Sequence, residues 1–322
     1  MRIGIVMLSA LGDSVHVLPI INALKRHNSA NNITWLLQPG PASLVRGHPA
    51  IDRLVEVDPR RSLAPVRALE PFDLVIDLQV ALKAGIVTAV TKARTKLGFD
   101  RARARDLNWL FTNQRIPPHP ERQHVQDQYF EFLTALGVPI DPVVWNLGPW
   151  PGDPAPPEGR YAALAIGASD PDREWLPDRW AAVAETLQNM YGLRVVLVGA
   201  GTDRDRVAAL GIKAQTDVPI DDALGSGLRP LVSILNGAEL VISVDSAPVH
   251  MAVALDRPVI ALMSNADPRR TGPYRKFHDL IVDAYHDPGE QGPISWTRRP
   301  GRMPRIAVTD VLERVARWRS SY

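Results

Sequence analysis

The stretch from Arg2 to Leu24, RIGIVMLSALGDSVHVLPIINAL, decides the fold. It begins with Ile3–Met7, five residues that are apolar or glycine, as expected for a parallel strand buried on both faces. A short turn follows, and apolar residues then recur at every third position, which predicts a helix. We expect free backbone N–H groups and the carboxylate of Asp13 where the strand ends and the helix begins. In open α/β sheets this carboxyl edge is where ligands bind.

Two interpretations of Asp13 follow from its position. Aspartate is favoured at helix N-termini because its carboxylate accepts hydrogen bonds from backbone N–H groups, so Asp13 fits a helix cap. A carboxylate at the ligand-binding edge of a sheet also fits a catalytic base. Spacing by itself leaves both interpretations open.

The run LSALGDSVHVLP resembles the N-terminal signature of glycosyltransferase family 9, the ADP-heptose:lipopolysaccharide heptosyltransferases. In that family the aspartate of the signature is taken as the general base on the acceptor hydroxyl, and Asp13 occupies its place. The resemblance also implies that Ser9 and Gly12, in the same turn, contact the acceptor. It extends over nearly the whole chain and includes REWLPDRWAAVAETL and LVISVDSAPVHMAVALDRPVIALMSNADPRRTGPY in the second half.

Composition limits the possible classes of protein. A length of 322 residues favours about two domains. No segment approaches the roughly 18 apolar residues of a membrane span, and the N-terminus lacks the charged region and cleavage site of a signal peptide. We therefore expect a cytoplasmic protein. The absence of cysteine excludes disulfides, thiol nucleophiles and cysteine-based metal sites.

Short apolar segments alternate with helical stretches in both halves, which is typical of α/β proteins. Seven prolines between Pro139 and Pro157 exclude a regular helix or central strand. The predicted domains are 1–140, a proline-rich linker over 141–158, and 159–322, and packing of the last helix on the first domain is one option. Two Rossmann-like domains whose parallel sheets face each other across a cleft form the GT-B architecture, which the resemblance also implies. The expected strands are Ile3–Met7, Ile33–Leu37, Arg53–Val57, Leu74–Leu78, Lys96–Phe99, Tyr161–Ile166, Arg194–Val198, Leu240–Val244 and Val259–Met263.

The first helix is expected over Ser14–Arg26, with Pro19 either kinking it or displacing its start.

A second constellation, DSAPVH, follows a buried strand and begins a helix. The helix dipole and unpaired N–H groups favour a phosphate at this position, although Asp245 and Ser246 also fit simple helix caps. The family motif Asp-Ser/Thr-Gly-x-x-His contacts the diphosphate and ribose of the donor. The resemblance therefore implies donor contacts from Asp245, Ser246, Ala247, Pro248 and His250, with Ala247 where glycine is usual.

Three further residues are candidates for binding the donor. The resemblance places Ser169 and Arg173 after the first strand of the second domain, where a hydroxyl and a guanidinium would meet the diphosphate. A surface ion pair of Arg173 with Glu174 or Asp170 is the structural alternative. Asp203 follows a glycine turn, and the resemblance implies that it accepts a hydrogen bond from ribose or adenine.

Positive charge is concentrated between Lys83 and Arg122, where nine lysines and arginines accompany three acidic residues. This excess fits either a solvated face or a surface for an anionic partner. The resemblance implies that basic residues face the anionic Kdo and phosphate groups of the lipopolysaccharide inner core and help the protein lie on an anionic membrane. The candidates are Arg60, Arg61, Arg101, Arg103 and Arg105. The net charge of +2 gives no argument for nucleic acid.

The sequence hypothesis is thus an inverting transfer of heptose from ADP-heptose to the lipopolysaccharide inner core, at the cytoplasmic face of the inner membrane. No Asp-x-Asp element occurs, so we expect neither a protein-bound metal nor another cofactor. One alternative is a transferase of the same fold that uses another nucleotide sugar for O-antigen or capsule. Others are an inactive sugar-nucleotide-binding protein and a dinucleotide-dependent oxidoreductase, although the first turn lacks GxGxxG.

Overall fold

The computed structural model describes all residues, 1–322, and it divides into two units. The first unit consists of Met1–Glu121 and Val125–Leu147, and the second of Arg122–His124 and Gly148–Tyr322. The division after Leu147 falls inside the predicted linker 141–158. The proline-rich stretch 139–157 contains neither helix nor strand, because proline lacks the N–H that both structures need.

The first unit is built on a six-stranded sheet in which all neighbouring strands are parallel. The strands lie in the order β3-β2-β1-β4-β5-β6. Most residues of the central strands are buried, which explains their continuous apolar sequences. The strands are β1 (Arg2–Val6), β2 (Asn32–Leu37), β3 (Arg53–Glu56), β4 (Phe72–Asp77), β5 (Ala93–Gly98) and β6 (Gln114–Arg115).

Five α-helices and one 3₁₀ helix, Asn108–Phe111, complete the first unit. The first helix begins three residues before the predicted Ser14 and accommodates Pro19 in its interior, so the predicted displacement of its start by Pro19 is wrong. The helices are α1 (Leu11–His27), α2 (Pro39–Val45), α3 (Ala64–Arg67), α4 (Leu82–Val90) and α5 (Val125–Ala135).

The second unit contains another parallel six-stranded sheet, in the order β12-β11-β10-β7-β8-β9. Its four longest strands are almost entirely buried. The strands are β7 (Tyr161–Ala165), β8 (Arg194–Val198), β9 (Ile220–Asp222), β10 (Leu240–Val244), β11 (Val259–Met263) and β12 (Ile281–Asp283).

The last helix of the chain packs on the first helix of the second unit and on β12. This helix therefore belongs to the second unit. None of the helices combines the length and the apolar character that crossing a membrane requires. The helices of this unit are α6 (Pro177–Tyr191), α7 (Asp203–Lys213), α8 (Leu228–Gly237), α9 (Ala247–Ala254), α10 (Pro268–Thr271) and α11 (Val308–Ser321), with 3₁₀ helices at Pro171–Arg173, His278–Leu280 and Met303–Arg305.

Both sheets have the same connectivity. In each unit the first strand lies beside the fourth, and the chain winds outward from that pair in opposite directions, which is the Rossmann order. The predicted α/β class with two Rossmann-like domains is confirmed. The crevice beyond the carboxyl ends of the two central strands is where such sheets bind ligands. In the first unit these strands are β1 and β4, and in the second they are β7 and β10.

Candidate functional site

Asp13 lies at the carboxyl edge of the first sheet, in the first turn of α1. It is not the N-cap residue, which is Ala10, but its Oδ2 accepts a hydrogen bond from the N–H of Ala10 at 3.1 Å. The hydroxyl of Tyr129, on α5, donates to Oδ1 at 3.2 Å. Each carboxylate oxygen therefore has a donor, and the half-buried side chain is held in one orientation at the sheet edge.

Residues that follow the neighbouring strand β4 contact the turn before α1. Gln79, which follows β4, accepts from the N–H of Leu8 at 3.0 Å and donates to the carbonyl of Ser9 at 2.7 Å. Lys83, on α4, donates to Oγ of Ser9. These contacts connect the segment after β1 to the segment after β4, at the switch point of the sheet.

Lys83 is a cation close enough to Asp13 to interact with it electrostatically. Partial burial and repulsion from Arg60 lower the pKa of the Lys83 ammonium, and the attraction of Asp13 and Asp58 offsets part of this effect. The edge of the first sheet therefore contains a carboxylate and a partly desolvated cation side by side. In the sequence, Lys83 is distinguished only as part of a basic stretch. Its position after β4 is the signal that could have singled it out.

A buried carboxyl lies behind this edge. Asp77, the last residue of β4, is 1% exposed and accepts from Thr88, from Asn108 and from the N–H of Gln79 at 2.9 to 3.1 Å. Burial raises the pKa of Asp77 to about 7, although the three donors act in the opposite direction. The network fixes the start of the segment that contains Gln79 and Lys83.

The predicted acceptor-binding arginines have different surroundings. Arg60 and Arg61 lie exposed in the turn after β3, and Arg61 forms an ion pair with Asp58 at 3.5 Å. Gly12 is the second residue of α1, and Arg101 is exposed.

Among the predicted acceptor-binding arginines, Arg103 has the most partners within the protein. Its guanidinium pairs with Asp100 and with Glu131, and it donates to the carbonyl of Pro117 at 3.0 Å. Oxygen atoms of the first unit therefore accept hydrogen bonds from this side chain, which is 11% exposed. Acceptor binding by Arg103 stays a prediction, and it would require the guanidinium to exchange or share these partners. The exposed side chain of Arg105, two residues later, has no comparable ion pair.

In the second unit the central feature is a buried ion pair. Nη1 of Arg173, just after β7, donates to the carbonyl of Asp245 at 3.0 Å and lies 3.4 Å from its Oδ2. Asp245 directly follows β10 and is 4% exposed. The predicted alternative, in which Arg173 pairs with Glu174 or Asp170, is wrong, because Glu174 pairs with Arg204 and Asp170 pairs with Arg298.

Burial raises the pKa of Asp245, and the positive charges of Arg173, Arg270 and Arg298 oppose this shift. The carboxyl ends of the two central strands of the second sheet therefore combine a buried carboxyl with several guanidinium groups. No sequence motif distinguishes Arg270 and Arg298, because both belong to segments far from Asp245 along the chain. Such a concentration of cations fits a diphosphate.

The N-terminus of α9 lies at the same edge. Ser246 is the N-cap residue of α9, but its side chain makes no capping bond to the backbone and lies 3.4 Å from Oγ of Ser243. Ala247 and Pro248 form the first turn, and His250 projects from it half-buried. The hydroxyl of Ser246 therefore does not cap α9, contrary to the capping interpretation of this side chain.

Ser169 and Asp203 occupy the expected positions at the carboxyl ends of strands. Ser169 is exposed after β7, and Asp203 is the exposed first residue of α7, after β8. The capping box of α7 uses Thr202 and Asp205, so the carboxylate of Asp203 is not needed for the cap. No cluster of three or more His, Asp or Glu side chains in the chain could hold a metal ion.

The sequence model of glycosyltransferase family 9 (heptosyltransferase) matches residues 66–289, more than half of the chain. The chain belongs to this family. Its Asp245-Ser246 motif and the strands around it lie within the matched region, whereas Asp13 precedes it. This family 9 member is therefore a glycosyltransferase, as the sequence resemblance predicted.

Two curated relatives span most of the chain. The lipopolysaccharide core heptosyltransferase OpsX of Haemophilus influenzae is 27% identical over 296 residues, which cover 88% of this chain and 84% of that protein. The lipopolysaccharide heptosyltransferase 1 of Escherichia coli is 27% identical over 300 residues, which cover 86% of this chain and 92% of that protein.

The fold also matches a solved structure of the family. The structure described as Escherichia coli heptosyltransferase WaaC with ADP-2-deoxy-2-fluoro heptose gives a TM-score of 0.77 at 23% identity. The match covers 98% of this chain and 99% of that chain. The predicted GT-B fold class is therefore confirmed for this glycosyltransferase.

Proposed function

We propose that this protein moves heptose from ADP-heptose to the inner core of lipopolysaccharide by an inverting mechanism, with Asp13 as the general base. The observation that carries the proposal is the Asp13 carboxylate itself. It lies within the family signature, at the switch point of the first sheet, with both oxygens oriented by Ala10 and Tyr129. The names of the two relatives and the heptose analogue in the WaaC structure support the donor and the acceptor class.

In the proposed reaction, Asp13 accepts the proton of an acceptor hydroxyl while the oxygen attacks the anomeric carbon of the donor. The bond from that carbon to the diphosphate breaks, and ADP leaves with the electron pair. A single displacement inverts the anomeric configuration. The amide of Asn would keep the contact with Ala10 but could not accept the proton, which makes Asp13→Asn the informative variant.

The second unit supplies groups that suit a diphosphate leaving group. Arg173 brings a positive charge to the end of β10, and the N-terminus of α9 adds unpaired N–H groups and the positive end of a helix dipole. Charge that develops on the departing ADP would be stabilised there. We assign Ser169, Asp203 and the residues Asp245, Ser246, Ala247, Pro248 and His250 to the donor.

We assign the acceptor to the first unit, where Ser9 and Gly12 lie in the turn beside Asp13. The exposed residues Arg60, Arg61 and Arg101 and the neighbouring Lys83 give this unit the charge that suits carboxylates and phosphates. An acceptor with a lipid anchor requires contact with a membrane, and we place the enzyme at the cytoplasmic face of the inner membrane. We propose that catalysis needs no protein-bound metal, so a chelator is expected to leave the rate unchanged.

The test combines purified protein with ADP-heptose or UDP-sugars and a panel of truncated core lipids. We expect ADP release and product formation with ADP-heptose, and an inverted anomeric configuration by NMR. Asp13→Asn should lower the transfer rate by roughly 10²- to 10⁴-fold with ADP affinity retained. Wild-type rates in the folded Asp13→Asn variant would contradict the base. Activity only with a UDP-sugar would refute the donor, and ADP binding without transfer to any lipid would indicate a binding protein.

A further inference from the structure

An exposed apolar patch lies on the first unit, where α4 meets the 3₁₀ helix Asn108–Phe111. Its members are Leu82 and Ile86 of α4, which are 42% and 36% exposed, and Leu107 and Leu110, which are 59% and 55% exposed. We call these four residues the apolar patch. Single exposed leucines are ordinary in proteins, but four large apolar side chains from two packed elements are not scattered.

The two elements are held together by buried contacts. The side-chain amide of Asn108 is buried and donates to Asp77 and to the carbonyls of Gln79 and Ala81, at 3.1 to 3.2 Å. Gly85 leaves room for the ring of Phe111, with which any larger side chain would collide. Because Asn108 and Gly85 face inward, their exposed neighbours are presented together on the outer side.

The backbone before the 3₁₀ helix also bears on the apolar patch. Asp106 and Leu107 have φ angles of 52° and 61°, in the left-handed region that costs free energy for residues with a side chain. Leucine at such a position gains nothing from burial, since Leu107 is exposed. Glycine or asparagine would suit this backbone better, so neither local conformation nor burial explains an apolar side chain at this position.

Three exposed cations lie near Leu107 and Leu110 in the chain. Arg101, Arg105 and Arg115 are exposed, and none of the three forms an ion pair. The guanidinium groups of Arg101 and Arg115 lie 4.5 and 5.4 Å from the centre of the Trp109 ring, which neighbours Leu110 in the chain. Apolar side chains beside tryptophan and unpaired arginines match the chemistry of a membrane interface, where acyl chains lie below anionic headgroups.

We propose that the apolar patch and its arginines dock the protein on an anionic lipid bilayer. This docking rests on the proposed function, because the enzyme would meet a lipid-anchored acceptor at the bilayer. The geometry fits this purpose, since Lys83 lies on α4 between Leu82 and Ile86 and reaches Ser9 in the candidate site. An acceptor sugar could approach Asp13 while its lipid stays in the membrane.

The test measures binding to vesicles without any donor or acceptor, so it is independent of the transfer reaction. Wild-type protein should cosediment with vesicles of equimolar phosphatidylglycerol and phosphatidylcholine, and more weakly with phosphatidylcholine alone or at high salt. Leu107→Asn/Leu110→Gln should weaken binding at least tenfold. Arg101→Gln/Arg105→Gln should weaken it on anionic vesicles by roughly 25-fold, about fivefold for each cation.

Matched controls come from the second unit. Met190→Gln/Leu210→Gln removes two exposed apolar side chains, and Arg317→Gln/Arg319→Gln removes two exposed arginines. Both controls should bind vesicles like the wild type. Equal loss in these controls and in the patch variants would overturn the proposal. So would absence of vesicle binding, or a patch variant that changes the oligomeric state, which would assign the surface to a second copy.

A second measurement does not depend on the fold of the patch variants. The chain has no cysteine, so Leu110→Cys and Leu210→Cys can each carry one environment-sensitive fluorophore. We expect the label at position 110 to become brighter and blue-shifted with anionic vesicles and the label at 210 to stay unchanged. An unchanged label at 110 would overturn the proposal, even if ADP-heptose transfer proceeds normally.

Discussion

The hydroxyl of Tyr129 and Oδ1 of Asp13 are 3.2 Å apart and joined by a hydrogen bond, although the residues are separated by 116 positions in the chain. This bond connects α5 to the first turn of α1. Together with the N–H of Ala10 it orients the carboxylate. Tyr129 is therefore a positioning residue for the proposed base.

Tyr129→Phe removes the hydroxyl and keeps the ring that packs near Phe99. Because one oxygen of Asp13 loses its donor, we expect kcat for heptose transfer to fall roughly tenfold, the cost of one hydrogen bond to a charged group. The KM for ADP-heptose should change little, and the free energy of unfolding should fall by no more than about 1.5 kcal/mol, because the same bond also stabilises the fold. Tyr191→Phe, on α6, is the matched control. A lower stability with unchanged kcat would show that Tyr129 is only structural.

Arg173 combines two roles that a double variant can separate. Arg173→Ala leaves the buried carboxyl of Asp245 without its nearest cation, so the free energy of unfolding should fall by about 3 kcal/mol. ADP affinity should fall as well. Arg173→Ala/Asp245→Asn should recover much of the stability but not the affinity, measured by urea unfolding and calorimetry. Recovery of both would mean that Arg173 does not contact the diphosphate.

Asp77 should make stability depend on pH. Its pKa is about 7 in the folded protein, against 3.8 as the ordinary value, because of burial. The folded state therefore binds more protons between these values, and the free energy of unfolding falls as pH rises from about 4 to 7. The loss amounts to at most about 4 kcal/mol. In Asp77→Asn, urea unfolding should not show this decrease in the free energy of unfolding.

Glu70→Gln, an exposed acid of the same unit, is the control for Asp77. It should retain the pH dependence of the wild type. A wild-type slope in Asp77→Asn would show that the carboxyl is ionised throughout this range.

His16 should make stability rise with pH, opposite to the effect of Asp77. Burial lowers its pKa from 6.5 to about 4, and its Nδ1 lies 2.8 Å from Oε1 of Gln126. The unfolded state binds more protons between pH 4 and 6.5, so stability rises with pH across this window, by about 3 kcal/mol. His16→Asn should remove this rise in urea unfolding, whereas His27→Gln, exposed on the same helix, should keep it. An unchanged rise in His16→Asn would contradict the shift.

Most of the strands that were predicted correctly are buried, because burial demands continuous apolar sequence. Three edge strands were missed. The strand β6 has two residues, and β9 and β12 have three each, with acids in both of the latter. Such short segments lack a readable pattern and become strands only because a neighbouring strand offers hydrogen bonds.

The sequence by itself determined the alternation of strands and helices, the family, and the positions of Asp13 and Asp245 just beyond buried strands. These features are local, since each depends on residues a few positions apart. Only the tertiary structure decided that Tyr129 orients Asp13, that Arg173 pairs with Asp245 and that Arg103 is held by Asp100 and Glu131. A sequence pattern reports burial and propensity, whereas the partner of a side chain depends on how distant segments pack.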